Sequence, residues 1–318
     1  MVMIMIRVGM IVVPGFEVMS FAPLSVFDAA NITLGEQRYE VRVVSETGGR
    51  TRNSFGMEIV TEPLGCAQFD TIMVGASHDI GPAPPGIIAF LQNATGSARR
   101  IASICIGAFT LAQAGLLDGR RATTHWLYGR ELQSRFPKIK VEADRIFIAD
   151  GPVWTSAGMT AGIDLALGLV ERDVGPEAAR IVAKALVVHH RRAGGQSQHS
   201  ALLALDAKSD RVQEALAFAR RNLHEPLSVE QLAEAARLSP RQFSRVFRVE
   251  TGQSPAKAIE NLRLEAARLA LEQGRRPVEE IAKETGFGDR ERMRRAFLRA
   301  FGQTPQAIRN ASHPLASF

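Results

Sequence analysis

One cysteine of this 318-residue chain lies where its side chain could do chemistry. The segment Ile101-Ala-Ser-Ile-Cys105-Ile-Gly107 passes from a strand pattern into a helix pattern, with Cys105 at the change. Such an elbow exposes the thiol and directs helix N-terminal amides at it, which lowers the pKa of a thiol and can stabilise an oxyanion. The same spacing also occurs around inert core cysteines. Cys105 is therefore either a reactive thiol or part of the core.

Two arginine-rich helices near the end of the chain indicate a second kind of chemistry. Their apolar stripes are Phe243, Val246 and Phe247 in the first helix and Met293, Ala296 and Phe297 in the second. The side chains left for solvent or DNA are Arg241, Gln242, Ser244, Arg245 and Arg248, and then Arg290, Glu291, Arg292, Arg294, Arg295 and Arg299. Arginine can bond to guanine or phosphate, and glutamate can accept from cytosine. Taken alone, such helices fit a solvated face as well as DNA binding, and it is the internal repeat containing them that favours DNA binding.

An internal repeat contains these two helices. Residues 229–233 match residues 278–282 at an offset of 49, and residues 247–255 match residues 297–305 at an offset of 50. Each copy reads as helix, short turn, helix, which is the pattern of a helix-turn-helix unit. Ser228 and Gln231 predict a capping box at the start of the first copy, where the second copy has Pro277.

A single amphipathic helix is predicted between the two copies. Ile259, Leu262, Ala266 and Leu269 recur at helical spacing, so the helix should cover residues 256–273. At about 1.5 Å per residue it is a rod of roughly 27 Å. Recognition helices that read successive major grooves have centres about 34 Å apart. A rod of this length suits a spacer between two recognition helices.

The charge is unevenly distributed along the chain. Residues 1–195 carry 19 Lys and Arg against 18 Asp and Glu, whereas residues 196–318 carry 20 against 15. This asymmetry points to a polyanionic partner for the later part, with nucleic acid favoured over a membrane. No uncharged stretch reaches the ~20 apolar residues of a membrane-spanning helix. The apolar N-terminus, which Arg7 interrupts, indicates a strand rather than a signal peptide. We therefore expect a cytoplasmic protein without a membrane partner.

Neither a metal nor a cofactor is expected. Cys66 and Cys105 have no metal-ligand spacing and cannot make a disulfide framework. His189 and His190 are neighbours on a predicted helix, so their side chains point about 100° apart and cannot share one metal.

The elements that carry these residues indicate two domains. The predicted strands are 8–13, 39–45, 71–75, 100–105, 145–149 and 153–156, and the predicted helices are 17–30, 85–95, 107–116, 126–136, 159–171 and 176–192. This alternation predicts an α/β domain, doubly wound, with a mostly parallel sheet and helices on both faces. Glycines and polar residues at 191–199 are typical of a linker. We predict an α/β domain over 1–195, a linker over 196–210, and an all-α domain over 211–318 with two helix-turn-helix units.

The end of the chain, from about residue 211 to about 310, resembles the DNA-binding domain of the AraC/XylS transcription regulators. Residues 238–247, 286–297 and 302–305 carry the resemblance. In that family certain positions of the two helices contact bases or phosphates. The resemblance implies that in this chain these positions are Arg241, Ser244, Arg245, Arg290, Glu291, Arg294 and Arg295. It also implies promoter DNA and RNA polymerase as partners.

The first domain resembles the PfpI-like, class I glutamine amidotransferase-like fold, and the whole chain resembles the GlxA-type subgroup, in which that fold precedes an AraC-type domain. The resemblance rests on residues 14–17, 105–108, 114–126, 155–158, 160–164 and 192–198. In enzymatic relatives a carboxylate approaches the cysteine, and Ser20 matches that position here. Hydrolytic relatives have a histidine after the cysteine, where this chain has Ile106. The glycine pair that supplies oxyanion amides resembles Gly75-Ala76-Ser77.

These departures predict a ligand pocket in place of a catalytic site. A free thiol has a pKa of about 8.5 and is mostly protonated at neutral pH, so it needs a partner that activates it. The candidate lining residues are Glu17, Ser20, Ala76, Ser77, Cys105, Ile106 and His125. We expect a homodimeric transcriptional activator that is not an enzyme, and the resemblance suggests an amino acid or a quaternary amine as effector.

Two alternative functions stay open at this point. The first is a thiol-dependent hydrolase or hydratase that uses Cys105 and carries a DNA-binding appendage, with Glu17 as a possible substitute partner. The second is an architectural DNA-binding protein whose first domain only dimerises.

Overall fold

The computed structural model describes residues 5–65, 68–77, 79–188, 192, 194, 198, 205, 209–273 and 276–312. The chain divides into two compact units, Met1–Gln198 and His199–Phe318. Much of the predicted linker lies outside the described residues, so the boundaries 1–195, 196–210 and 211–318 remain predictions. Within the described ranges, no helix is long and apolar enough to cross a membrane.

The first unit is built on an eight-stranded sheet. Its strands are β1 (Ile6–Ile11), β2 (Tyr39–Ser45), β3 (Gly49–Arg52), β4 (Glu58–Pro63), β5 (Thr71–Val74), β6 (Arg100–Ile104), β9 (Phe147–Asp150) and β10 (Val153–Ser156). The short strands β7 (Arg121–Ala122) and β8 (Lys140–Val141) pair with each other. The order across the sheet is β3-β4-β2-β1-β5-β6-β10-β9, parallel except for the pairs β3–β4 and β9–β10 at its two edges.

Helices cover this sheet, which confirms the predicted α/β class with a mostly parallel sheet. They are α1 (Leu24–Leu34), α2 (Pro85–Ala94), α3 (Gly107–Gln113), α4 (Gly129–Arg135), α5 (Met159–Val174) and α6 (Pro176–Ala185). The central strands β5, β6 and β10 are buried along their whole length. Parallel strands with both faces covered have this continuous apolar pattern rather than an alternating one.

Several element boundaries differ from the sequence prediction. The strands β3 and β4 at one side of the sheet were not expected, because a short polar run such as Gly49–Arg52 has no apolar periodicity. The predicted helix 17–30 is instead a 3₁₀ turn at Val18–Phe21 followed by α1, with Pro23 between them. The predicted helix 176–192 ends at Ala185.

The described part of the second unit is helical. It contains α7 (Asp210–Arg221), α8 (Val229–Ala235), α9 (Pro240–Thr251), α10 (Pro255–Gln273), α11 (Val278–Glu284), α12 (Arg290–Phe301) and α13 (Pro305–Ser312). The predicted connecting helix is therefore present as α10, and the predicted capping box forms between Ser228 and Gln231. Pro277 precedes α11 without a side-chain cap.

The repeat folds as two small cores rather than one. Phe243 and Phe247 lie in the first core, and Met293 and Phe297 lie in the second. Residues of α10 take part in both cores, so this helix is the common element of the two copies.

A buried ion pair joins α5 to the starts of three strands of the first unit. The Asp173 side chain is fully buried and pairs with Arg100, whose side chain is 7% exposed. The Tyr39 hydroxyl donates to Asp173 at 3.2 Å, and the Arg100 Nε donates to the Thr71 hydroxyl at 3.0 Å. Burial and the carboxylate of Asp173 raise the pKa of Tyr39, so the phenol stays protonated as a donor.

We expect Asp173→Asn to lower the free energy of unfolding of the first unit by about 3–5 kcal/mol, because it leaves the Arg100 charge buried without a counter-charge. The chain has two tryptophans, Trp126 and Trp154, and both lie in the first unit. Urea unfolding followed by tryptophan fluorescence therefore measures this unit specifically.

The matched control is Asp118→Asn. Asp118 pairs with Lys138 at 3.1 Å, but the two side chains are 43% and 77% exposed. Exposed pairs contribute only about 0–1 kcal/mol. Equal losses in the two variants would show that the Arg100–Asp173 pair has no special structural role.

Candidate functional site

The helices α9 and α12 are the second helices of the two repeat copies, and each has a defined start and end. Ser239 and Gln242 form a capping box at the start of α9, and the Asp289 carboxylate accepts from the backbone N–H of Arg292 at the start of α12. Both helices end at a left-handed glycine, Gly252 or Gly302. Such caps satisfy the terminal backbone groups and hold both helices to twelve residues.

The predicted DNA-contacting side chains lie on the surface of these two helices. The exposed residues are Arg241, Gln242, Arg245, Arg248, Arg290, Glu291 and Arg295, and those of intermediate exposure are Ser244 and Arg294. The opposite face of each helix is buried through Phe243 and Phe247 or through Met293 and Phe297. The arrangement leaves an arginine-rich face on each helix, and its contact with DNA remains a prediction.

Several of these side chains already have partners within or at the start of their own helix, and Arg295 lies 4.0 Å from the Glu291 carboxylate. The Gln242 side chain belongs to the capping box with Ser239. Glu291 forms a two-pronged ion pair with Arg294, with both N–O distances 2.8 Å, and hydrogen bonding from Arg294 lowers the pKa of Glu291. Arg294 thus engages both carboxylate oxygens of Glu291, whereas Arg245 has no ion pair within the described residues.

In the first unit, Cys105 lies at the predicted elbow between β6 and α3. Its φ of 55° is in the left-handed region, which is rare for a residue with a side chain. Its N–H donates to the Ser156 carbonyl at 3.1 Å, and its carbonyl accepts from the Thr124 hydroxyl at 2.9 Å. Two residues later the chain needs a glycine, because a Cβ at Gly107 would lie 2.5 Å from the Val74 carbonyl oxygen. The elbow is thus held from three neighbouring segments.

The structure corrects the expected effect of this elbow on the thiol. Cys105 is 6% exposed, and burial raises its pKa to about 11. A backbone hydrogen bond from Ile106 lowers the pKa of Cys105, but the Glu17 carboxylate raises it further. Burial is the largest of these effects and outweighs the hydrogen bond from Ile106. The thiol is therefore protonated at neutral pH.

The Ser20 hydroxyl accepts a hydrogen bond from the Ala76 backbone N–H, the group that would otherwise be available to stabilise an oxyanion. Ser20 is fully buried, and the N–O distance of this hydrogen bond is 2.9 Å. The Ala76 carbonyl in turn accepts from the Glu17 N–H at 3.0 Å. A backbone N–H that is already satisfied inside the protein is not available to a developing negative charge. The elbow thus has neither a thiolate nor a free Ala76 donor.

A cavity of about 350 Å³ opens beside the elbow, and it contains part of the predicted pocket. Ser77 and Ile106 line it, whereas Glu17, Ser20, Ala76, Cys105 and His125 do not. The remaining wall is Val13, Pro14, Gly15, Asp79, Ile80, Gly81, Pro82, Ala83, Pro84, Phe109 and Thr110. The sequence prediction missed the proline-rich segment 79–84, although a glycine- and proline-rich run after a buried strand is a common signal for a functional loop.

His125 lies in a packed turn rather than in this cavity. Its Nδ1 accepts from the Leu127 N–H at 3.3 Å, and its ring stacks on Trp126 with the centroids 5.7 Å apart. Thr124 and Trp126, on either side of it, both bond to the Gln198 amide, at 2.8 Å each. His125 therefore does not line the cavity, although its neighbour Thr124 bonds to the Cys105 carbonyl.

The end of the first unit is attached to the same region at two further points. The Arg192 Nε donates to the Asp164 carboxylate at 2.8 Å, and Asp164 is 3% exposed on α5. The Gly194 carbonyl accepts from the Phe147 N–H at 3.3 Å. The described residues of the junction are thus bound to the first unit.

No group of three or more His, Cys, Asp or Glu side chains that could hold a metal occurs within the part of the chain that the structure describes. Cys66 and the pair His189-His190 lie outside that part.

Comparison with known proteins agrees with both halves of this geometry. The DJ-1/PfpI family matches residues 6–172, and a helix-turn-helix domain family matches residues 232–311. The chain is 31% identical to the HTH-type transcriptional regulator CdhR of Pseudomonas aeruginosa over 309 residues, covering 94% of this chain and 90% of CdhR. It is 29% identical to the HTH-type transcriptional regulator GlxA of Rhizobium meliloti over 327 residues, covering 96% of each.

Two further similarities concern the first unit. A crystal structure of an AraC family transcriptional regulator from Pseudomonas putida matches with a TM-score of 0.53 at 25% identity, covering 57% of this chain and 99% of that one. An isonitrile hydratase of Pseudomonas putida is 39% identical over 119 residues, covering 37% of this chain and 51% of the hydratase. The predicted GlxA-type resemblance is confirmed. The chain belongs to the DJ-1/PfpI family, in the group whose members continue into an AraC-type helix-turn-helix domain.

Proposed function

We propose that the second unit binds promoter DNA through α9 and α12 and that a small molecule bound by the first unit controls this binding. The protein is a DNA-binding transcriptional regulator with an AraC-type helix-turn-helix domain. The observation that carries the proposal is the duplicated arginine-rich face, because two like helices on one rod suit two successive major grooves.

Arg245 and Arg295 are the best candidates for base readers. They hold equivalent positions in the two copies, 50 residues apart. Both are exposed, and neither is needed for a helix cap. A guanidinium in this position can form two hydrogen bonds with guanine, and other arginines of the face can bond to phosphate.

We expect Arg245→Ala and Arg295→Ala each to weaken binding to the specific site by about 1–3 kcal/mol, with smaller losses on random DNA. The base pairs at which sequence preference relaxes should lie about 10 base pairs apart. Fluorescence anisotropy titrations of the full-length protein at one fixed salt concentration measure both effects.

The control for charge is Arg220→Ala. Arg220 is exposed in the last turn of α7, outside α9 and α12, and its loss removes the same single charge. Equal losses on specific and random DNA for Arg245→Ala and Arg295→Ala would show that both arginines hold phosphates only. Base reading would then belong to other residues, such as Gln242.

The cavity beside the elbow supports a small cationic effector. Asp79 is the one charged residue among its described lining residues, and Phe109 adds an aromatic wall. An anionic group within a mostly apolar wall favours an ammonium or a quaternary amine. An amino acid or a quaternary amine therefore remains our proposal for the effector.

We expect Asp79→Asn to weaken effector binding by about tenfold or more, because it removes the charge opposite a cation. A thermal-shift screen of the full-length protein with the common amino acids and choline identifies the ligand, and calorimetry gives the affinities of both proteins. Asp118→Asn, which removes an exposed charge elsewhere, is the control. A ligand that binds wild type and Asp79→Asn equally well would exclude Asp79 from its site.

A chain of hydrogen bonds connects the elbow to the end of the first unit. The Cys105 carbonyl accepts from Thr124, the Thr124 carbonyl accepts from Gln198, and Gln198 is the last residue of that unit. Ile106, next to Cys105, lines the cavity. A ligand that moves this elbow thus acts on the junction through two hydrogen bonds.

The proposal includes two further partners. Ile32, Ile181 and Val187 are large apolar side chains left exposed on the first unit, which supports self-association into a homodimer. Activation would take place through contact with RNA polymerase at the promoter, and hence in the cytoplasm.

The rival function is a thiol-dependent hydratase or hydrolase, which the strained elbow and the partial similarity to isonitrile hydratase favour. The buried thiol and the occupied Ala76 N–H speak against it. We therefore propose that this domain is not an enzyme.

Alkylation of Cys105 by iodoacetamide tests the state of the thiol. With a pKa of about 11, its labelling rate should rise about tenfold for each pH unit from pH 7 to 9 without a plateau, because only the thiolate reacts. Peptide mass mapping separates Cys105 from Cys66.

The companion variant is Cys105→Ser, which should keep effector binding and ligand-dependent transcription. A labelling plateau near neutral pH, or catalytic turnover by wild type that a folded Cys105→Ser variant lacks, would establish the enzyme instead.

A further inference from the structure

The two helix-turn-helix copies meet along α10, and one residue marks the change from one core to the other. Ile259 and Leu262 belong to the first core, whereas Leu264 and Ala267 belong to the second. Arg263 lies between them. The position of α9 relative to α12 therefore depends on the contacts that Arg263 and its neighbours make.

Arg263 bonds back to the first copy. Its Nε donates to the Leu223 carbonyl at 3.2 Å, and its Nη2 donates to the Glu225 carbonyl at 2.6 Å. Both carbonyls belong to the segment between α7 and α8. A planar guanidinium that donates to two carbonyls holds a fixed geometry, since hydrogen bonds from a charged donor are short and strong.

The second copy contacts the same place through Gly286, the first residue of its turn. A Cβ on Gly286 would lie 2.1 Å from the Leu223 carbonyl oxygen and 2.6 Å from the Arg263 Nε. The equivalent residue of the first copy, Arg237, has a similar left-handed φ of 54° and keeps its side chain. The left-handed backbone alone thus does not require glycine here, but the approach of the second copy to the first does.

Apolar packing between the copies is incomplete at this joint. A cavity of about 300 Å³ adjoins Arg263 and is lined by Val229 of the first copy and Phe287 of the second. One further polar link crosses from α10 to α12, the ion pair of Glu260 with Arg299 at 2.8 Å. Because apolar packing is incomplete here, polar contacts must hold the two copies in their relative orientation. Arg263 is less exposed than Arg299, so its contacts are the better shielded from water.

We propose that Arg263, together with Gly286, is a positioning residue that fixes the distance and angle between α9 and α12, so that the protein selects the spacing of the two DNA elements it reads. This inference rests on the proposed contact of both helices with DNA. One inserted base pair moves the second element by about 3.4 Å and turns it by about 35°. A rigid pair of helices cannot follow this shift, whereas a loosened pair can.

The test compares three DNA spacings for each protein. A specific site is first selected from random DNA with full-length wild type, and variants of this site then carry one base pair more or fewer between the two elements. We expect wild type to lose about tenfold or more in affinity on the altered spacings, which equals the loss of one good base contact. Arg263→Met should lose less than about threefold relative to its own affinity for the original site.

The matched control is Arg309→Met. Arg309 also donates from Nη2 to a carbonyl at 2.6 Å, that of Arg276, but both residues lie in the second copy. This variant should discriminate between spacings as wild type does. Gly286→Ala, which forces the copies apart without a change of charge, should relax discrimination as Arg263→Met does, and it provides the test if Arg263→Met does not fold.

The outcomes separate this inference from the proposed function. Failure of wild type to bind any selected DNA would contradict the proposed function. Specific binding by wild type with equal spacing discrimination in Arg263→Met and Gly286→Ala, or no spacing dependence in wild type, would overturn the role of Arg263 while DNA binding stands.

Discussion

The close contact between α3 and β5 is the constraint on which the first unit depends. Gly107 lies so near the Val74 carbonyl that no side chain fits there, so the chain must turn sharply at Cys105 to bring the helix against the strand. The turn buries the thiol, leaves Ile106 at the wall of the cavity and presents the Cys105 carbonyl to Thr124. The cavity, the state of the thiol and the connection to the junction all follow from this one contact.

The same elbow geometry serves catalysis or sensing according to a few side chains around it. Here a serine hydroxyl takes the Ala76 N–H, and burial keeps the Cys105 thiol protonated. Both changes remove reactive groups without removing the fold. An elbow whose thiol is buried and protonated suits the ligand-binding role that we propose, in which binding is not followed by turnover.

The second unit shows how a duplicated sequence acquires two different roles. The turns of the two copies have the same left-handed backbone, but Arg237 is exposed and Gly286 touches the other copy. The recognition helices also differ, since Glu291 is paired with Arg294 whereas the equivalent position of the first copy is Arg241. Each copy also packs against a different half of α10.

Local rules were sufficient for much of this protein. Periodicity and capping residues predicted the central strands, α10 and the exposed faces of α9 and α12, because each of these patterns lies within one short segment of the chain. The repeat could be recognised because similar residues recur 49 or 50 positions apart. The strands β3 and β4 were not predicted, because a short polar segment becomes a strand only when it pairs with a neighbouring strand. The lining of the cavity, the raised pKa of Cys105, the bond from Ser20 to Ala76 and the contact of Gly286 with Leu223 were decided by the tertiary structure alone. Each of them joins segments that are distant in sequence, and burial and distance exist only after those segments have packed.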